Sequence, residues 1–221
     1  MLRFLLFDLD GTLVDSVPDL HLSLNYMLND LGINQVSQDH VRQWVGNGAA
    51  KLIERTLKFS AGQPPESKLH DKATRLFFKY YQENLDVGTQ VFPGAHQLLG
   101  GLQDERIQCA CITNKPRCFT EPLLSKLKLD HYFQALICGD DLPEKKPHPM
   151  PLLHALKVLQ VRAEDGYMVG DSYSDLSAAQ QAGIRAILVT YGYNQGVTTE
   201  DCSIIKANSL PELKAFIDSK L

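Results

Sequence analysis

The sequence is short of cationic residues: 22 Lys+Arg stand against 26 Asp+Glu, a formal charge of −4. Without a basic excess to neutralise phosphates, a dedicated nucleic-acid binder is excluded. Long apolar runs are also missing. Phe4-Leu5-Leu6-Phe7 is interrupted by Asp8 and Asp10, so neither a membrane span nor the apolar region of a signal peptide is expected. The cysteines are few and odd in number, at positions 109, 111, 118, 138 and 202, with no CxxC spacing. That argues against a disulfide framework or zinc site, and a reducing cytoplasm is the expected setting. No GxGxxG or Walker lysine loop follows the first apolar run, which excludes the usual dinucleotide and P-loop sites. Repeats and low-complexity tracts are absent.

What remains is ordinary globular material: 221 residues, 44% hydrophobic and 22% charged, enough for a sizeable core. The stretch from Met1 to Asp8 reads as a buried strand ending in acid. From about 16 to 85 the apolar spacing is helical throughout, with breaks at Gly32, Gly46-Asn47-Gly48 and Gly62-Gln63-Pro64-Pro65. After Pro93-Gly94 the rhythm alternates. Strands are predicted at Ile107–Ile112, Ala135–Cys138, Tyr167–Val169 and Ala186–Val189, with helices between them and a last helix opening at Ser209-Leu210-Pro211-Glu212. Such alternation implies a parallel sheet covered on both faces. The helical stretch between the first strand and the others reads as an inserted cap. The expected division is a core of 1–15 and 88–221 and a cap of 16–87, hinged near Ser16-Val17-Pro18 and Asp86-Val87-Gly88.

Reactive residues concentrate after the predicted strands. Asp8 and Asp10 follow the first, Thr113, Asn114 and Lys115 the second, and Asp171 the strand at Tyr167, while Lys146 lies in the loop after Cys138. In an open parallel sheet these carboxyl ends share one edge, where ligands bind. Clustered carboxylates need a cation, and hard oxygen donors suit Mg2+. Lysine and threonine can hold phosphate oxygens, and the turn at Gly11 offers backbone N–H groups to an anion. Together the parts point to metal-assisted phosphoryl transfer.

Asp8-Leu9-Asp10-Gly11-Thr12-Leu13-Val14-Asp15-Ser16 resembles the first motif of the haloacid dehalogenase (HAD) superfamily. Thr113-Asn114-Lys115 is similar to its second motif, Lys145-Lys146-Pro147-His148-Pro149 to its third, and Gly170-Asp171-Ser172-Tyr173-Ser174-Asp175 to its fourth. The order is the family's own. Arg42 to Ala49, Gly139-Asp140-Asp141 and Thr190 to Asn194 further resemble the bacterial phosphoglycolate phosphatase subgroup.

The resemblance implies an α/β, HAD-like Rossmannoid sheet with an inserted all-helical cap. It implies a Mg2+-dependent phosphatase that converts 2-phosphoglycolate to glycolate and phosphate. Asp8 would be the nucleophile and Asp10 the general acid and base. Mg2+ would be held by Asp8, the Asp10 carbonyl and Asp171, with Asp175 orienting a ligand or water. Thr113 and Lys146 would hold the phosphoryl group. Gly11, Thr12, Asn114, Lys115, Asn47 and Gly48 complete the implied phosphate and substrate contacts.

Several residues carry a plainer reading as well. Asp175 also suits a helix start. Arg42 and Lys51 are either partners for a substrate carboxylate or solvated helix charges. His148 and Lys145 read as surface residues, and Phe77, Tyr80 and Tyr81 as cap core, whereas Trp44 beside the glycine turn suits either. The Gly46–Gly48 turn has few charged groups, so no single cap residue is marked for a carboxylate. A small phosphorylated metabolite is the implied partner, for a monomer or homodimer. The competing readings are a phosphatase for a sugar phosphate, nucleotide or pyrophosphate, a sugar phosphomutase, and a HAD-fold regulator without turnover.

Overall fold

The computed structural model describes residues 2–62, 65–197 and 204–220. Met1, Cys202, and Gln63 and Pro64 of the expected breaker lie outside the described residues. The first strand, β1 (Phe4–Phe7), is buried at every position, as four consecutive apolar side chains require of a strand covered on both faces. A two-residue strand β2 (Val14–Asp15) leads into four helices: α1 (Val17–Asp30), α2 (Gln38–Trp44), α3 (Ala49–Ala61) and α4 (Ser67–Glu83). The chain returns through β3 (Gln90–Val91), which pairs antiparallel with β2. Alternation follows: α5 (Ala95–Asp104), β4 (Gln108–Ile112), α6 (Arg117–Lys126), β5 (Ala135–Ile137), α7 (Met150–Leu159), β6 (Gly166–Gly170), α8 (Tyr173–Gln181), β7 (Arg185–Val189), β8 (Ile205–Ala207) and α9 (Leu210–Asp218).

The main sheet is parallel, in the order β5-β4-β1-β6-β7-β8. The chain therefore builds outward from β1 in one direction and then restarts on its other side. This makes β1 the switch point, with a crevice at its carboxyl end. Alternate side chains divide between two cores. Leu5, Phe7, Cys109, Cys111, Tyr167 and Val169 point to one face, under α5, α6 and α9. Phe4, Leu6, Ala110, Ile112 and Met168 point to the other, under α7 and α8.

The helical block follows its apolar stripes. In α1, Val17, Leu20, Leu24, Met27 and Leu28 are buried and pack towards α2 and α4. The helix stops at Leu31, and Gly32 takes a φ of +68°, a left-handed C-terminal position that glycine adopts without a steric cost. No helix among the described residues is long and apolar enough to cross a membrane. Cys109, Cys111 and Cys138 are buried free thiols and Cys118 an exposed one.

Three elements were not expected: β2, β3 and β8, each of two or three residues. Segments that short complete no cycle of alternation, so their pairing is set by tertiary position. The capping box expected at the last helix forms in part. The Ser209 hydroxyl accepts from Glu212 N–H at 3.2 Å. The Glu212 carboxylate instead takes the Asn208 N–H at 2.7 Å, where the Asn208 amide adds a second donor.

Candidate active site

The carboxyl ends of β1, β4 and β6 bring the reactive side chains together. Asp8, Thr113, Lys146 and Asp171 are all buried there. Lys146 Nζ donates to Asp8 Oδ1 at 2.9 Å, Asp175 Oδ1 at 2.6 Å and the Ile112 carbonyl at 2.5 Å, so its three N–H bonds are all engaged. Asp175 gives its other oxygen to the Ser172 N–H at 3.0 Å and hydroxyl at 2.6 Å. Asp175 thus closes a capping box at the start of α8 and also holds Lys146.

Asp171 is fixed as tightly. Its Oδ1 accepts from the Thr12 hydroxyl at 3.2 Å, and its Oδ2 from Tyr193 N–H at 2.6 Å and Asn194 N–H at 3.3 Å. Gly11 and Gly192 form the walls around it. A Cβ on either would lie within 2.4 Å of Asp171 atoms, and Gly11 also has a φ of +87°. Glycine is required at these positions by close approach.

Asp8, Asp171 and Asp175 bring carboxylate oxygens within 4.8 Å of one another. The Lys146 ammonium pairs with two of these three carboxylates, and the excess of negative charge shows in the acidity of Asp8 and Asp171. Burial, then Asp175, pushes Asp8 up to about 7, against the pull of Lys146. Burial, Asp175 and Asp8 raise Asp171 well above the carboxylate range. Burial works against the Lys146 charge, but Asp175 and Asp8 outweigh it and raise its pKa. Excess negative charge on hard oxygen donors is the environment a Mg2+ ion relieves. Asp175 spends its oxygens on Lys146 and the start of α8, whereas Asp8 and Asp171 stand directly at the carboxyl ends of β1 and β6, the two carboxylates of the sheet edge that would face a cation. The Asp10 carbonyl accepts no backbone hydrogen bond among the described residues, so it too suits that role.

Asp10 lies further out, in the loop between β1 and β2. Its Oδ1 accepts from the Ser16 hydroxyl at 2.6 Å, and Lys115 Nζ reaches its two oxygens at 3.2 and 3.1 Å. Lys115 also donates to the Tyr81 hydroxyl at 2.5 Å. Asp8, Asp10, Thr113, Asn114, Lys115 and Gly48 line one cleft between the sheet edge and the helical block. Its remaining wall is largely apolar, made by Leu20, Val45, Leu52, Phe77 and Phe119.

Other expected contacts are placed differently. The Gly11 N–H donates to the Val14 carbonyl and the Thr12 N–H to the Leu9 carbonyl. These donors close the loop on itself instead of facing an anion, and the Thr12 hydroxyl serves Asp171. Asn47 turns away from the cleft: its amide donates to Ser174 Oγ at 3.1 Å, and its oxygen accepts from Arg55 at 2.7 Å. Asn114 links the two halves, donating to the Gly46 and Lys146 carbonyls, both at 2.9 Å. Arg42 pairs with Asp15 and Lys51 with Glu54. His148 and Lys145 are exposed, as expected. Trp44 packs with His40 and Phe59 on the helical block.

Sequence reasoning missed the site roles of Tyr81 and Tyr193. Tyr81 is core, as its helical spacing indicates, yet its hydroxyl reaches Lys115. Tyr193 holds Asp171 through its N–H and Ser16 N–H through its hydroxyl, at 2.9 Å. Its signal was position, just beyond β7 on the same sheet edge. Asp19 was also missed. Buried at the start of α1, it accepts from Gly88 N–H at 2.7 Å, Thr89 N–H at 2.8 Å and the Thr89 hydroxyl at 2.6 Å.

Comparison with known proteins agrees with this geometry. The family model of haloacid dehalogenase-like hydrolases matches residues 5–189. A phosphoglycolate phosphatase of Nitrosococcus oceani is 43% identical over 218 residues, covering 97% of this chain and 96% of the relative. A phosphoglycolate phosphatase of Colwellia psychrerythraea is 45% identical over 194 residues, 87% of this chain and 86% of the relative. The crystal structure of a predicted phosphoglycolate phosphatase from Haemophilus somnus superposes with a TM-score of 0.91 at 32% identity, over 98% of both chains. With β-phosphoglucomutase from Clostridium difficile the TM-score is 0.80 over 100% of this chain and 97% of that one, but identity is 18%, a likeness of fold alone. The match spans the sheet, the helical block and all four strand-end motifs, and the chain belongs to the haloacid dehalogenase-like hydrolases.

Proposed function

We propose that this protein is a Mg2+-dependent phosphatase hydrolysing 2-phosphoglycolate to glycolate and phosphate through an aspartyl-phosphate on Asp8. The observation that carries the reading is the juxtaposition of buried Asp8, held by Lys146, with Asp10 in the same cleft. The phosphoglycolate phosphatase relatives, above 40% identical, support the choice of substrate.

A carboxylate oxygen of Asp8 attacks phosphorus, and the bond from phosphorus to the glycolate oxygen breaks. Asp10 gives its proton to that leaving oxygen. Asp10 then removes a proton from the water that hydrolyses the aspartyl-phosphate. Ser16 and Lys115 hold its carboxylate for both tasks. Lys146 orients Asp8 and favours its ionised form, and the Thr113 hydroxyl helps position the phosphoryl group. Asp8, Asp171 and the Asp10 carbonyl would hold Mg2+, which when bound neutralises the carboxylate excess and withdraws charge from the phosphoryl oxygens.

Residues 16–87 act in this reading as a cap over a core of 1–15 and 88–221, closing to exclude water from the intermediate. The apolar wall favours a small substrate. A sugar phosphate would leave hydroxyls unpaired against Leu20, Val45 and Leu52, at about 1–3 kcal/mol for each buried group. The free thiols suit a reducing cytoplasm. The test is kcat/KM across 2-phosphoglycolate, sugar phosphates, nucleotides and pyrophosphate with Mg2+. A clear preference for 2-phosphoglycolate is the expected result; preference for another compound rejects the substrate while leaving the Asp8 chemistry to its own test.

A further inference from the structure

We infer that Lys115 and Tyr81 together form the pocket for the substrate's carboxylate. The inference rests on the reading of the site as a phosphatase for 2-phosphoglycolate and adds how that substrate is selected.

Among the described residues lining the cleft, Lys115 is the one cation. The other cations of the neighbourhood, Arg42, Lys51, Arg55 and Lys145, lie outside that lining. Arg42 is held by Asp15, Lys51 by Glu54, and Arg55 by Asn47 and the Trp44 carbonyl. Lys145 is exposed and lines a different groove, outside the Gly48 turn.

The donor count of the pair also fits. An ammonium has three N–H bonds. One N–H shared between the two Asp10 oxygens, at 3.2 and 3.1 Å, and one given to the Tyr81 hydroxyl would leave the third for a substrate. Tyr81 accepts from Lys115, and its own O–H donates to no acceptor among the described residues. Burial holds that phenol well above its ordinary pKa, so it stays a donor. Two unused donors thus sit side by side, with heavy atoms 2.5 Å apart. They match the two oxygens of one carboxylate, and Lys115 also separates that carboxylate from Asp10.

The pair is divided between the two halves of the protein. Tyr81 comes from α4 and Lys115 from the loop after β4. The pocket is complete only when the helical block is seated, so a substrate bearing the carboxylate favours closure. The stacked rings of Phe77 and Tyr81, 5.4 Å apart, fix the hydroxyl from behind.

The experiment compares kcat/KM for 2-phosphoglycolate and for ethyl phosphate, which has similar size and no carboxylate. Wild type, Tyr81→Phe and Lys115→Met are assayed with Mg2+. Tyr81→Phe keeps the ring packing and removes the hydroxyl alone, so folding is preserved. The expected result is a fall of about tenfold or more in preference for 2-phosphoglycolate in Tyr81→Phe, expressed mainly in KM, with a larger fall in Lys115→Met. If wild type prefers 2-phosphoglycolate but both variants lose activity equally on the two substrates, the pair acts only through Asp10 and the carboxylate pocket is rejected. Preference that survives both substitutions rejects it as well. A wild type with no preference overturns the substrate reading itself.

Discussion

Lys146 Nζ and Asp175 Oδ1 meet at 2.6 Å, and both side chains are almost completely shut off from solvent. Asp175 is held in turn by Ser172 at the start of α8. The third and fourth motifs are therefore joined beneath the first, and the position of Asp8 depends on a residue that does not face the cleft.

Removing the ammonium should damage both fold and activity. Lys146→Met leaves Asp8 and Asp175 buried without their shared partner, a defect of about 3–5 kcal/mol. Chemical denaturation should show that loss in the metal-free protein, and activity should fall by at least about 100-fold. Unchanged stability would mean that the carboxylates find another partner or take up protons without cost.

Asp8→Asn should retain the fold and lose at least about 1000-fold in kcat, because the amide is a poor nucleophile. The check is steady-state hydrolysis of a generic phosphoester with Mg2+, with circular dichroism to confirm folding. Activity equal to wild type would end the covalent proposal.

Stability should depend on pH and Mg2+ together. Asp8 titrates at about 7 in the folded protein against an ordinary 3.8, so between those values the folded state retains a proton that the unfolded chain has released. The contribution is full below the unfolded value and lost as pH rises through the folded one. Asp171 shifts in the same direction. The metal-free Tm should therefore fall between about pH 5 and pH 8, with Mg2+ raising it more at the higher pH. Equal Mg2+ stabilisation at both values would place the cation away from these carboxylates.

Asp19→Ala should loosen the junction between the helical block and the sheet. It strips acceptors from Gly88 N–H, Thr89 N–H and the Thr89 hydroxyl. With the buried Thr89 donors left unpaired, a loss of about 2–4 kcal/mol is expected. Limited proteolysis should then cut faster near residues 86–89 than in wild type.

Much of this was legible in the chain. The long apolar strands and helical stripes appear at their expected places, because burial on both faces leaves continuous runs and burial on one face leaves a period. Asp8, Thr113 and Asp171 were legible because each stands at a predicted strand end and parallel strands share an edge, and Lys146 because its loop follows another such strand. The roles of Tyr81 and Asp19 were not. Both sit on helical apolar stripes, where spacing alone reads a tyrosine as core and an acid as a first-turn residue. Only the partner across the fold, Lys115 for one and Thr89 for the other, gives the polar atom its task.

The chain by itself indicated the parallel sheet, its inserted helices and the set of residues at its edge, since apolar periodicity and the alternation of strands with helices along the chain are read locally. Tertiary structure decided which polar groups remain free. Gly11, Thr12 and Asn47 had the right composition for anion contacts, but their loop and interface partners occupy the donors. Hydrogen-bond capacity is finite, and its distribution depends on neighbours brought in from distant segments.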